Sequence, residues 1–120
     1  MIRAILIALP MALAMLASPA LAHCFPDKTI PGEASASPIP PPQVEIQFDN
    51  PFNPAGTSVR VLNQNGDVVS GGDASSADDR TMTAPLKPLA PGQYFVKWRA
   101  TSQDGDHTMG AYSFTVTGTR

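Results

Sequence analysis

The stretch PGQYFVKWRATSQDGDHTMGAYSFTV, residues 91–116, decides the fold class of this chain. Large apolar residues recur at every second position in both halves of the stretch, and a polar turn rich in Asp separates the halves. Because successive side chains of a β-strand point to opposite faces, this pattern predicts two half-buried strands. The residues predicted to face inward are Tyr94, Val96, Trp98, Tyr112, Phe114 and Val116. Those predicted to face outward from the first strand are Phe95, Lys97 and Arg99.

Three further segments predict strands. QVEIQF, residues 43–48, alternates in the same way. In SVRVLNQNGDVV, residues 58–69, apolar residues flank Asn65-Gly66, a dipeptide favoured in tight turns, and this pattern predicts a hairpin. We also expect an edge strand near Met82.

Residues 25–42 are rich in Pro, Ser and Ala and predict an irregular leader, because proline cannot donate a backbone hydrogen bond to a sheet. Helical periodicity is missing from residue 23 onward, and Gly, Pro and Asn turns separate the short predicted strands. The expected fold is therefore an all-β, immunoglobulin-like Greek-key β-sandwich.

The first 22 residues have the features of a secretory signal peptide. Arg3 precedes an apolar run over residues 4–16, and the Ala-Leu-Ala sequence at 20–22 supplies the small residues that signal peptidase needs. We expect cleavage after Ala22. Residues 23–120 would then form one exported, periplasmic domain with no membrane insertion.

Two other interpretations of this region are weaker. A transmembrane anchor is disfavoured because the apolar run is short, contains Pro10 and lacks flanking stop-transfer charges. The residues before Cys24 resemble a lipoprotein signal, but bulky His23 occupies the position where such a signal needs a small residue.

Composition limits the partners of the processed chain. Cleavage leaves 98 residues with seven basic and ten acidic side chains, a formal net charge of −3, which argues against a nucleic-acid partner. The single cysteine, Cys24, cannot form an intrachain disulfide. In an oxidising compartment it must therefore be buried, paired with another molecule or bound to a ligand.

The two histidines suggest a metal site. If His23 is the first residue, its α-amine and imidazole Nδ1 can chelate one ion, and a further imidazole would complete the nitrogen set that tetragonal Cu(II) prefers. Only His107 can supply that imidazole, and the neighbouring Asp104 and Asp106 could add an oxygen ligand or orient the ring. A histidine in a polar loop is also often merely solvated, and Asp residues around Gly105 are typical of a turn.

The chain resembles the CopC family of periplasmic copper-binding, copper-resistance proteins over essentially all of the processed sequence. Four segments support the resemblance: LAHCFPDKTIPGEA (21–34), VEIQFDNPFNP (44–54), VRVLNQNGDVV (59–69) and LAPGQYFVKWRATSQDGDHTMGAYSFTV (89–116). The resemblance implies a Cu(II) site formed by the amine and imidazole of an N-terminal histidine. An Asp and a His two residues apart, in the loop before the last strand, would assist it.

His23 and Asp104 match this family pattern, but the loop histidine does not. With Gly110 kept in register, the Asp-x-His pattern ends on Asp106, and the histidine is displaced by one position to His107. We expect His107 to supply the third nitrogen and Asp104 an axial or outer oxygen, with Asp106 as the competing assignment.

Two other features bear on the expected site. Cys24 stands where the family usually has a small apolar residue, and a thiolate there would favour Cu(I) or be oxidised by Cu(II). The Met-rich Cu(I) segment of some members has no counterpart, so one principal site is expected.

The expected function is therefore non-catalytic: sequestering Cu(II), or carrying it to an inner-membrane copper transporter, in copper tolerance. The alternative is a β-sandwich interaction module with a degenerate metal site. An oxidative copper enzyme is disfavoured because so small a domain offers little surface for a substrate.

Overall fold

The computed structural model describes residues 23–71, 76 and 78–118. The predicted signal peptide, residues 1–22, lies outside this part of the chain. The described strands are β1 (Pro26–Ile30), β2 (Ser35–Ser37), β3 (Gln43–Phe48), β4 (Ser58–Leu62), β5 (Thr81–Pro85), β6 (Gly92–Thr101) and β7 (His107–Val116). Among the described residues, no helix has the length and apolar character needed to cross a membrane.

The strands form two sheets. One sheet has the order β1-β3-β5 and the other the order β2-β7-β6-β4. All pairs are antiparallel except β2 with β7. The longest pairing joins β6 to β7 and runs from Gly92 opposite Val116 to Thr101 opposite His107. The prediction of an all-β sandwich is confirmed.

The inner faces of the two sheets form one core. The six residues predicted to face inward from β6 and β7 are all buried, as are Val44, Ile46 and Phe48 of β3. Burial of such side chains is the main favourable term in folding, at roughly 25 cal/mol per Å² of apolar surface. Gly110 lies directly opposite Trp98 across the sheet, and a Cβ at Gly110 would lie 2.6 Å from the Trp98 ring. The sandwich therefore needs glycine at this position.

The predicted irregular leader is partly wrong, because it contains β1 and β2. Both are edge strands: β1 pairs only with β3, and β2 runs parallel to the end of β7. Neither has an alternating apolar pattern. Pro26 begins β1, a position where a missing N–H group does little harm.

The predicted hairpin over residues 58–69 forms only in part. β4 and the turn after it are present, with the Asn63 amide donating to the Asp67 carbonyl at 2.9 Å. The returning segment forms no strand: it makes an isolated bridge between Leu62 and Val68, and the Val69 amide donates to the Val61 carbonyl at 2.8 Å. The chain then leaves this sheet, and Ser70 bridges to Leu86 beyond β5. This segment therefore connects the two sheets instead of extending one of them.

The edge strand expected near Met82 is confirmed as β5. The last strand begins earlier than predicted, however. His107 is its first residue and pairs with Thr101, so the polar turn is limited to residues 102–106. The start of β7 at His107 decides which side chains of the β6–β7 turn can reach the N-terminal segment.

Candidate metal centre

Three hydrogen bonds hold residues 23–25 against the end of the sandwich. Asn50 Nδ2 donates to the His23 carbonyl at 2.8 Å, and Thr108 Oγ1 donates to the Cys24 carbonyl at 2.6 Å. The Phe25 amide donates to Asp49 Oδ1 at 2.9 Å. Because these bonds engage both sheets, the backbone at His23 has a defined position next to the β6–β7 turn.

The β6–β7 turn is organised around Ser102, which is 1% exposed. Its amide donates to the Asp106 carbonyl at 2.8 Å, and the Asp106 amide donates to Ser102 Oγ at 3.0 Å. The Ser102 hydroxyl donates to Asp104 Oδ1. Gly105 has φ 94°, a conformation that side-chain-bearing residues rarely adopt. The turn therefore directs the Asp104 carboxylate onto Ser102.

The Asp106 carboxylate lies next to His23. His23 Nδ1 and Asp106 Oδ2 are 3.8 Å apart, and the two side chains are 45% and 36% exposed. The Oδ2 atom itself is buried and has no hydrogen-bond partner among the residues that the structure describes. The separation is too long for a hydrogen bond. Metal–ligand bonds to nitrogen and carboxylate oxygen are about 2.0–2.2 Å, so two ligands of one ion lie roughly 3–4 Å apart.

His107 does not join this pair. Its Nδ1 lies 3.0 Å from Thr101 Oγ1, on the neighbouring strand. The next residue, Thr108, contacts the Cys24 carbonyl. Since consecutive side chains of a strand point to opposite faces, the His107 side chain lies on the face away from Cys24. Within the described part of the chain, no group of three or more His, Cys, Asp or Glu side chains could hold a metal ion.

Cys24 is fully buried, and its thiol lies 3.5 Å from the Asn50 carbonyl and 3.3 Å from the Pro51 carbonyl. Burial raises the pKa of the thiol, and the negative charges of Asp49 and Asp104 raise it further. The neutral thiol is therefore favoured over the thiolate, which is the form that binds metals. The sequence left three possibilities for Cys24: burial, pairing with another molecule or binding to a ligand. In the structure the residue is buried.

We expect Cys24 in the folded protein to react with iodoacetamide at least about a hundredfold more slowly than in the denatured protein, because reaction requires opening of the structure. The rate is measured by mass spectrometry at neutral pH, with protein unfolded in guanidinium as the control. Equal rates in the two states would show that the thiol is accessible.

Sequence reasoning missed several residues that position this centre. Asn50 and Thr108 hold the backbone of residues 23 and 24, and no motif marked either of them. The half-exposed Phe25 ring contacts His23 and Trp98 edge-on, with centroid separations of 6.1 and 6.4 Å. These contacts join segments far apart in sequence, so no local pattern could reveal them.

Comparisons of sequence and of structure with known proteins point to the same family. The CopC domain family matches residues 27–117, a range that begins after His23 and Cys24. The chain is 34% identical over 107 residues to the copper transport protein CutJ of Bacillus subtilis. This match covers 87% of the chain but 20% of CutJ, so the chain spans about a fifth of the length of that relative.

Two solved structures share the fold over nearly their whole length. CopC from Methylosinus trichosporium OB3b is 30% identical with a TM-score of 0.75, covering 82% of this chain and 97% of that protein. PcoC, a methionine-rich copper resistance protein from Escherichia coli, is 27% identical with a TM-score of 0.67, covering 80% of this chain and all of PcoC. A family match across most of the chain, with this agreement in tertiary structure, shows that the chain belongs to the CopC family.

Proposed function

We propose that this protein binds Cu(II) after export, at a centre built on His23 as the first residue of the processed chain. The observation that supports the proposal best is the placement of the buried, unbonded Oδ2 atom of Asp106 at 3.8 Å from His23 Nδ1. The copper transport and copper resistance roles in the names of its relatives support the choice of metal.

The proposed ligands are the α-amine and Nδ1 of His23 together with the Asp106 carboxylate. Tetragonal Cu(II) favours nitrogen and oxygen donors, and this set provides two nitrogens and an anionic oxygen. Asp106 occupies the position at which the family resemblance implies a histidine. Asp104 is hydrogen-bonded to Ser102. It would not bind the ion itself but would support the site by holding the turn in place.

The proposed role follows from this chemistry. A small domain that holds one Cu(II) ion at its surface can sequester the ion in the periplasm or transfer it to an inner-membrane copper transporter. The CutJ relative supports the transfer role, because it is a copper transport protein about five times as long as the region that this chain matches. No catalytic step is proposed.

Substitutions in the turn test the ligand assignment. With protein processed to begin at His23, Asp106→Ala should lower Cu(II) affinity by tenfold or more, and Asp104→Ala should lower it less. His107→Ala should leave Cu(II) affinity unchanged, because that ring lies on the opposite face of β7. Competition titrations measure the affinities, and electron paramagnetic resonance counts the coordinated nitrogens.

Two results would contradict the assignment. If His107→Ala removes a nitrogen from the Cu(II) spectrum and costs the most affinity, the loop histidine is the third ligand. If none of the three substitutions matters and processed protein binds Cu(II) weakly, the metal site is degenerate, and an interaction module is the better description.

A further inference from the structure

We propose that the outward face of β4, β6 and β7 is a docking surface for an extended acidic segment of another protein. This surface, called the cationic face below, consists of Arg60, Lys97 and Arg99 with Val68 and Met109 at its edges. The proposal is separate from the Cu(II) centre, which uses none of these side chains.

Three basic side chains lie together on the cationic face. Arg60 of β4 lies directly opposite Lys97 of β6, and Arg99 follows two residues further along β6. All three are exposed and alternate with buried residues, so they point away from the core. The sequences of β4, β6 and β7 contain no Asp or Glu. Within the described part of the chain the only ion pair joins His23 and Asp106, so none of the three cations is paired there.

The stability of the sheet does not explain this cluster. Like charges directly opposite each other on neighbouring strands are destabilising, and Arg60 and Lys97 form such a pair. The cluster also contrasts with the remainder of the chain. Of the seven basic side chains in residues 23–120, three lie on this face, which leaves four basic and ten acidic side chains elsewhere. Charge complementarity therefore points to an anionic partner.

The cationic face lines an open groove that has apolar residues at both edges. Met109 lies opposite Arg99 on the β7 side and is 68% exposed. Val68, in the segment that returns from β4, is 44% exposed on the other side. Interfaces between proteins are enriched in Met and Arg, whereas isolated exposed charges are typical of solvated surface. A groove with cations along its middle and apolar edges fits a segment of protein better than the flat surface of a membrane.

The spacing of the cations fits an extended segment. Lys97 and Arg99 are separated by two residues of a strand, or about 6.6 Å, which is also the separation of alternate side chains in an extended partner. The partner cannot join the sheet beside the middle of β4. There the Val61 carbonyl accepts from the Val69 amide, and the Val61 amide donates to Ser70 Oγ. The segment would therefore lie across the face and bind through its carboxylates.

The test uses copper-free protein and a fluorescently labelled synthetic peptide in which Glu and Thr alternate. Fluorescence anisotropy should show binding that weakens as the ionic strength rises from about 10 to about 150 mM, because the Debye length falls from about 30 Å to about 8 Å. The same peptide with Gln in place of every Glu is the matched control, and it should not bind.

Charge reversal locates the binding surface. Lys97→Glu should lower the affinity for the Glu peptide by about tenfold or more, because it replaces an attraction by a repulsion at the middle of the face. Lys28→Glu makes the same change in net charge at an exposed position of β1, in the other sheet, and should have a much smaller effect. Equal losses in the two variants would mean that the peptide responds only to net charge.

A stability measurement separates docking from a structural role. Lys97→Gln removes the like-charge pair with Arg60, so it should raise the thermal unfolding midpoint of the copper-free protein or leave it unchanged, while it weakens peptide binding. A lowered midpoint would show that Lys97 supports the sheet and would contradict the inference that this cation serves a partner.

Three further results would overturn the proposal. Failure of the Glu peptide to bind at low ionic strength would exclude an acidic segment. Binding to phosphatidylglycerol vesicles but not to the peptide, lost in Lys97→Glu, would identify a membrane surface as the occupant. Self-association in sedimentation experiments, lost in the same variant, would identify a second copy of this chain. Because every measurement is made without copper, failure of the Cu(II) proposal would leave these results unaffected.

Discussion

Protein whose first residue is His23 is expected to bind Cu(II) far more tightly than protein that keeps Ala22 in front of it. In the longer form the α-amine becomes an amide, a poor donor near neutral pH, and the chelate formed by the amine and the imidazole Nδ1 is lost. Loss of a supporting group around a metal typically costs 10–100-fold in affinity. Loss of a direct ligand should cost at least as much. Competition titration of the two purified forms measures the difference.

A control must show that the two forms have the same fold. Their thermal unfolding without copper should coincide, because the bonds from Asn50 and Thr108 hold the carbonyls of residues 23 and 24 and do not involve the terminal nitrogen. His23→Ala in the processed form removes the imidazole and keeps the amine, and it should also bind weakly. Equal Cu(II) affinity with and without Ala22 would rule out the chelate.

Phe52→Ala is expected to cause the largest loss of stability among single substitutions near the site. Phe52 is fully buried, and its ring packs edge-on against Phe48 at a centroid separation of 5.6 Å. Truncation of such a phenylalanine typically lowers the free energy of unfolding by about 3–5 kcal/mol. That is a large fraction of the roughly 5–15 kcal/mol that stabilises a small domain. Urea denaturation without copper measures the loss.

The position of Phe52 also connects stability to the site. Its backbone bridges to Ser102, the residue that organises the β6–β7 turn, and its amide donates to the Asp79 carbonyl at 2.8 Å. Phe25→Ala is the matched control, because Phe25 is 48% exposed and should lose much less stability. Similar losses for the two variants would mean that Phe52 does not anchor the core at this end of the sandwich.

Much of the fold could be predicted from local patterns. Alternation in β3, β6 and β7 identified the inward residues correctly, because side-chain direction in a strand has a period of two whatever the strand pairs with. β1 and β2 could not be predicted in this way. They are edge strands without an apolar face, and their conformation depends on hydrogen bonds to β3 and β7, which are distant in sequence.

In the candidate site, too, some features could be predicted from the sequence and others depended on the tertiary structure. The sequence by itself determined the candidate residues, since His23 and His107 are the only histidines and Asp104 and Asp106 flank the one glycine of the turn. Only the tertiary structure decided which of them meet. β7 begins at His107, so Asp106 lies beside His23 whereas the His107 ring turns to the opposite face and contacts Thr101. A shift of one residue in the pairing register of a strand reverses every side-chain direction, and strand pairing across the whole domain sets that register.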